Sequence, residues 1–250
     1  EIEAAAEGVL PDLIETDDVR GDLHLHTTAS DGAASIDEMV AAAAEYGHEY
    51  VGIADHATGP GMVGGVGLDD GALAAHADAI RAAGGDAPID VLAGVEANVG
   101  SEGGIHVGDD ALAELDFVVA SPHSGLDGDG TDRLVAAIEH PEVDILGHPT
   151  GRLLGKRPGL EIDIERVAQA AADAGTALEI NADPHRLDLR SSYVSVAVEA
   201  GATIAVNTDA HGTDAYRNLR FGVHTARRGW AEPADVLNCR DAEGVRAFFN

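Results

Sequence analysis

Gly21-Asp22-Leu23-His24-Leu25-His26-Thr27-Thr28-Ala29-Ser30-Asp31-Gly32 is a short apolar run carrying two histidines, followed by a polar turn that ends in an acid. Residues two apart on a strand point the same way. Two imidazoles at the C-terminal end of one strand form a metal pincer if partners exist. Without partners they are two polar residues at a strand terminus. The question is whether other strands end in the same way.

Apolar runs of strand length recur at 22–26, 50–54, 89–96, 116–120, 144–147, 176–181 and 203–207. Ala-rich amphipathic runs lie between them, near 36–46, 70–83, 131–140, 163–174 and 192–200. Ser35 with Glu38, and Thr131, supply helix-start signals. Continuous apolar strands alternating with helices imply a parallel sheet buried on both faces. Seven such units predict an α/β fold closed, or nearly closed, into a barrel. A doubly wound open sheet is the alternative.

The strand ends then line up. The first carries His24 and His26 with Asp31 shortly after. The second ends in Asp55-His56 and the third in Glu96. The fourth runs into Ser121-Pro122-His123, the fifth into Gly147-His148-Pro149, and the seventh into Asn207-Thr208-Asp209-Ala210-His211. Singly, each residue reads as a hydrogen-bonded or capping side chain. Together they place six of the twelve histidines and three carboxylates on the face where barrel active sites lie. His48, His76, His106, His140, His185 and His224 fall on helices or loops, where surface roles suffice for most.

Nine nitrogen and oxygen ligands exceed the need of one tetrahedral ion and suit two or three divalent ions. Mixed imidazole and carboxylate favours Zn, Mn or Fe over Mg or Ca. Clustered divalent ions serve phosphoester hydrolysis. Amidohydrolase barrels also begin with His-x-His, and many bridge their metals with a modified lysine. Here the only lysine, Lys156, sits in the loop after His148, which weakens that alternative.

Composition bounds the rest. The 250 residues are 45% hydrophobic and 4% aromatic, so the core rests on Ala, Val, Leu and Ile. The formal charge is −30, from 45 acids against 15 bases. So acidic a surface with almost no lysine suits a salt-adapted, cytoplasmic, halophilic protein, in which salt screens the self-repulsion. Residues 1–151 hold three of the bases and 31 of the acids. The single Cys239 excludes an internal disulfide and any cysteine-based metal site. No run approaches the ~20 apolar residues of a membrane span. The opening at Glu1 suggests a fragment, with residues 1–20 a linker or arm and 21–250 one domain. The Gly-rich segment 59–67 lacks the Gly-Lys-Ser/Thr ending of a phosphate loop. It reads as a flexible loop able to fold over the mouth of a site.

The run from Gly21 to Gly32, with Ala54-Asp55-His56, Gly94-Val95-Glu96-Ala97, Ser121-Pro122-His123-Ser124, Gly147-His148-Pro149-Thr150 and Asn207-Thr208-Asp209-Ala210-His211, resembles the successive motifs of the polymerase and histidinol phosphatase (PHP) domain. The resemblance covers residue 21 to the end and implies a distorted (βα)7 TIM-like barrel with a trinuclear metal site. Within that family, His148 to Pro158, Glu179-Ile180-Asn181-Ala182, Arg186-Leu187-Asp188-Leu189 and Asn218 to Trp230 are similar to the C-terminal domain of bacterial and archaeal family X DNA polymerases. The segment from Leu10 to Arg20 resembles the joint preceding that domain. The chain carries no palm or helix-hairpin-helix segment. His106 stands where those polymerases are expected to carry an acid.

Carried over by motif, the resemblance implies one ion on His24, His26, Glu96 and Asp209. A second would be held by Glu96, His123 and His148, and a third by Asp31, His56 and His211. It implies 3′–5′ exonuclease, 3′-phosphatase or abasic-site chemistry at DNA 3′ ends. A polymerase domain, N-terminal to the chain or in trans, is the implied partner. Arg152, Lys156, Arg157 and Arg186 follow the fifth and sixth strands and are candidates for holding phosphates. Arg186, His123 and His211 are the candidate catalytic side chains. A histidinol-phosphatase-like small-molecule phosphatase and a non-catalytic polymerase-docking module are the alternatives.

Overall fold

The computed structural model describes residues 2–59 and 66–249. Most of the glycine-rich segment at 59–67 lies outside the described residues. Seven strands, β1 (Gly21–Leu25), β2 (Tyr50–Ile53), β3 (Asp90–Asn98), β4 (Phe117–Ser121), β5 (Ile145–Leu146), β6 (Ala177–Asn181) and β7 (Ile204–Asn207), pair in parallel and in sequence order. Sequential order excludes the doubly wound alternative. The sheet curls until β1 and β7 meet. There, among the described residues, the backbone closes only at the C-terminal end, through a parallel bridge between Leu25 and Ala210 and the bond from His26 N–H to the Ala210 carbonyl at 2.9 Å. Below that bridge side chains finish the seam: Leu23 N–H donates to Asn207 Oδ1 at 3.1 Å, and Thr208 N–H to the Asp22 carboxylate. The result is a nearly closed (βα)7 barrel.

Leu23, Tyr50, Leu92, Phe117, Val119 and Ile145 fill the barrel. Two aromatics fit because glycines leave them room. A Cβ on Gly94 would sit 2.4 Å from the Phe117 ring, and one on Gly21 2.3 Å from the Tyr50 ring. The helices between strands, α1 (Ile2–Glu7) apart, are α2 (Ile36–Tyr46), α3 (Asp70–Gly84), α4 (Asp109–Leu112), α5 (Thr131–Ile138), α6 (Ile164–Ala174) and α7 (Ser191–Glu199). The start of α2 is the expected capping box: Ser35 Oγ accepts from Glu38 N–H while the Glu38 carboxylate accepts from Ser35 N–H.

Two more helices follow β7, α8 (Leu219–Arg228) and α9 (Ala242–Arg246), neither anticipated from periodicity. Gly222 in the middle of α8 argues against a helix on propensity. Its role is close approach, since a Cβ there would lie 2.6 Å from Val206 on β7. The arm 1–20 divides into an exposed α1 and a docked stretch. Ile14 is fully buried, and the Arg227 guanidinium donates to its carbonyl at 2.7 Å. Among the described residues no helix is long and apolar enough to cross a membrane.

Candidate metal centre

The C-terminal strand ends bring the other eight ligand-type side chains together with Glu96, which is fully buried on β3. Five imidazoles face its two oxygens. His148 Nε2 is 2.9 Å, His24 Nε2 3.3 Å and His123 Nε2 3.4 Å from Oε1. His56 Nδ1 is 2.7 Å and His26 Nε2 3.6 Å from Oε2. Asp209 Oδ1 lies 3.0 Å from His26 Nε2 and 3.8 Å from His24 Nε2. Asp31 Oδ1 lies 3.3 Å from His211 Nε2 and 3.5 Å from His56 Nε2. Three groups have ligand atoms mutually within 4.8 Å: His26, Asp31, His56 and His211; His24, His26 and Asp209; His56, Glu96 and His123. His26 and His56 each belong to two of them. The floor is closed, whereas Asp31 and His211 keep about 40% of their side-chain surface exposed and form the open edge.

Polar side chains set the ring orientations. The Glu179 carboxylate on β6 pairs with His24 Nδ1 at 2.7 Å and accepts the His148 N–H at 2.6 Å. Asn98 Oδ1 on β3 pairs with His123 Nδ1 at 2.7 Å. The carbonyl of Asp209 pairs with His211 Nδ1 at 2.8 Å. Asn181 donates to Asp209 Oδ2 at 2.9 Å. The Asp55 carboxylate gathers the Asp31 loop, accepting from Thr27 N–H, Thr27 Oγ1 and Ser30 Oγ and pairing with His76. The chain is held in the left-handed region at His148 (φ 22°) and Asp209 (φ 54°). Few residues other than glycine sit there, Asp and His more readily than most, so two uncommon backbone positions fall on the site itself.

Burial opposes ionised Glu96 and Asp209, but the surrounding imidazoles overcome it and hold both well below the usual carboxylate range. Burial likewise opposes imidazolium at His56 and His211. Glu96 and Asp31 nevertheless raise His56 to about 10, and Asp31 and Asp209 raise His211 to about 9. His148 is pushed down to about 4, by burial and then by Arg186. The donor set fits divalent ions. His24 Nε2, His26 Nε2, His56 Nδ1, both oxygens of Glu96 and His123 Nε2 are buried without a hydrogen-bond partner among the described residues. So many unsatisfied buried atoms in one place are explained by cations that take up their lone pairs.

The four basic candidates separate. Arg186 reaches the centre, with Nε 3.5 Å from Asp209 Oδ2 and 18% of its side chain exposed. Arg152 instead spends its guanidinium on the carbonyls of Arg186 and Leu187, so it braces the loop that carries Arg186. Arg157 donates twice to the Gly151 carbonyl, and Lys156 is exposed. His48 and His76, expected at the surface, are buried. His48 packs against Tyr216, and burial lowers it to about 4. The supporting residues Glu179, Asn98 and Asn207 received no role from sequence. The available signal was a carboxylate or amide at an inward position of an otherwise apolar buried strand.

The PHP domain family profile matches residues 22–183. The chain is 40% identical over 99% of its length to DNA polymerase/3'-5' exonuclease PolX of Bacillus subtilis (strain 168), of which it spans 44%. It is 39% identical over 166 residues to a protein of Caldicellulosiruptor bescii named "Probable phosphatase", covering 63% of each chain. The fold superposes on histidinol phosphate phosphatase from Lactococcus lactis, solved with Zn, L-histidinol and phosphate. The TM-score is 0.57 at 17% identity, covering 85% of this chain and 95% of that one. Fold, centre and sequence agree: the chain belongs to the PHP domain family and is a metal-dependent phosphoesterase.

Proposed function

We propose that the chain processes DNA 3′ ends, with 3′–5′ exonuclease activity foremost and 3′-phosphatase or abasic-site cleavage as related outcomes. The single observation that carries the phosphoester chemistry is the convergence of five imidazoles on the buried Glu96 carboxylate. The choice of DNA rests on the near-full-length likeness to a relative named a polymerase and exonuclease. In this reading His24, His26, Glu96 and Asp209 hold one ion, Glu96, His123 and His148 a second, and Asp31, His56 and His211 a third, as Zn, Mn or Fe. Such ions supply Lewis acidity and activate water near neutral pH.

The chain's own groups do the rest. Glu179 and Asn98 fix the rings of His24 and His123, so their Nε2 lone pairs face Glu96. Arg186, at the rim beside Asp209, receives a substrate phosphate and offsets the charge that develops there. His211, on the open edge with Nδ1 held by the Asp209 carbonyl, passes a proton at Nε2 in the state in which that atom is not ligating the third ion. His123, partly exposed beside Glu96 with Nδ1 held by Asn98, is the second proton-transfer group in the state in which its Nε2 is not ligating the second ion. A polymerase domain, N-terminal or in trans, delivers the 3′ end in a cytoplasmic, high-salt setting.

One assay panel tests this: labelled 3′-recessed DNA, 3′-phosphate DNA and histidinol phosphate, each with Mn²⁺, Zn²⁺ or chelator in high salt. Nucleotide release from the recessed 3′ end is the expected result. Turnover of histidinol phosphate alone would replace DNA by a small-molecule substrate. A fully active His123→Ala variant would remove His123 from the site.

A further inference from the structure

Arg133 on α5 is one of three basic residues in the first 151, and it is the buried one, only 7% exposed. It forms no ion pair with any described residue. A buried guanidinium without a carboxylate is costly. In a chain of charge −30 a partner acid was readily available. The guanidinium instead binds carbonyls: Ser124 at 2.8 Å, Gly125 at 3.2 Å and Val99 at 2.5 Å. These belong to the loops that follow β4 and β3, directly after His123 and Asn98. Arg133 thus clamps from behind the same two segments that the Asn98–His123 hydrogen bond joins in front.

Peptide planarity has a consequence for the other face of this loop. In a trans peptide the N–H points opposite to the C=O. With the Ser124 and Gly125 carbonyls turned to Arg133, the N–H groups of Gly125 and Leu126 turn away from it. Neither N–H donates to any described residue. Gly125 adopts φ +59°, which suits glycine at this turn. The loop faces a groove of about 460 Å³ lined by His123, Ser124, Gly125, Leu126 and Arg157. Asp127 and Glu161 also line it and work against an anion. The buried cation and the aligned peptide dipoles both place positive potential on the N–H side.

We propose that the Gly125 and Leu126 N–H groups form a phosphate-oxygen subsite beside His123, held and polarised by Arg133 as a positioning residue. The inference rests on the phosphoesterase reading and adds where a substrate phosphate oxygen is seated. The ligand class is a phosphate or phosphoester oxyanion, bound by backbone donors backed by a buried charge.

The test is a titration of the whole 250-residue chain, Zn-loaded and ¹⁵N-labelled, with inorganic phosphate. The amide protons of Gly125 and Leu126 move downfield with a common saturation curve. Arg133→Met weakens that curve by about tenfold, the loss of one charge-assisted interaction. Arg133→Lys recovers part of it, because charge is kept while the fork is lost. If the Met variant fails to fold, the wild-type titration decides alone. Phosphate that shifts other amides but leaves these two unmoved overturns the subsite and spares the phosphoesterase reading. A protein that binds no phosphate and hydrolyses none of the panel substrates overturns both.

Discussion

Glu179 Oε1 stands 2.7 Å from His24 Nδ1, with both side chains fully buried beneath the metal centre. That contact assigns the proton to Nδ1 and aims the Nε2 lone pair at Glu96. The same carboxylate accepts the His148 N–H and the Asn207 amide. Glu179→Gln keeps the shape but loses the anion that favours this tautomer. It is expected to weaken metal binding by ~10–100-fold, read by competition against a calibrated chelator. Glu179→Ala also strands three buried donors and is expected to destabilise the fold by several kcal/mol in urea unfolding. Equal metal affinity in Glu179→Gln and wild type would show that the contact is structural only.

Metal uptake is expected to depend steeply on pH. In the metal-free protein His56 is held at about 10 and His211 at about 9, so both are imidazolium at neutral pH. A ligand nitrogen must be deprotonated. Binding at the Asp31, His56 and His211 group therefore expels protons, and apparent affinity rises with pH from 6 to 8. Calorimetry in two buffers of different ionisation enthalpy reads the proton release directly. An affinity flat across that range would show that these imidazoles do not bind the ion.

The barrel was legible because its signal is repetitive: seven apolar runs, five amphipathic ones and ligand-type residues at six strand ends. Periodicity reports whether a side chain faces core or solvent, and ligands at strand ends break that rule visibly. What stayed hidden was pairing. Nothing local in Glu179 or Asn98 says which histidine it orients, because each partner comes from a different strand. Arg152 illustrates the converse: a basic residue in the right loop spends its donors on backbone carbonyls. The interior turn in β1 was also unreadable. Leu23 fills the barrel while Leu25 packs in the cluster with Met39 and Val40 of α2, and the register slips between Asp22 and Leu25.

Helix α8 sets propensity against packing at Gly222. Propensity alone says that Gly222→Ala stabilises a helix interior by ~0.8–1 kcal/mol. Packing says the opposite. The added Cβ would meet Val206 at 2.6 Å and Ala182 at 2.9 Å. Overpacking of this kind typically costs ~1–3 kcal/mol, so the variant is expected to be less stable. Urea unfolding of the metal-free form gives the sign.

Asp144 offers a pH effect away from the metal centre. Burial raises its carboxyl to about 7, against the Val118 N–H bond that favours the ionised form. A carboxyl raised above its unfolded value contributes stability at low pH and loses it as pH rises through the folded pKa. Wild type should therefore lose stability between about pH 4 and 7 relative to Asp144→Asn, which keeps an acceptor for Val118. The difference in Tm between the two proteins, measured across that window, isolates this group from Asp22 and Asp188, which burial also raises.

Arg186 carries the sharpest prediction about substrate. Its guanidinium sits at the rim beside Asp209, and its backbone carbonyl is held by Arg152 Nε at 2.9 Å. A hydrogen bond to a charged group is worth ~1.5–3 kcal/mol, or roughly 10–150-fold. Arg186→Ala is expected to lower kcat/KM for a phosphodiester by that factor, with metal stoichiometry unchanged. Arg186→Lys keeps the charge but not the fork and should restore only part of the loss. Arg152→Ala frees the loop without removing the guanidinium, so its defect should be smaller than that of Arg186→Ala. It should also add little to the Arg186→Ala background, because both changes act through one contact. Additive losses in the double variant would instead place Arg152 on the substrate in its own right.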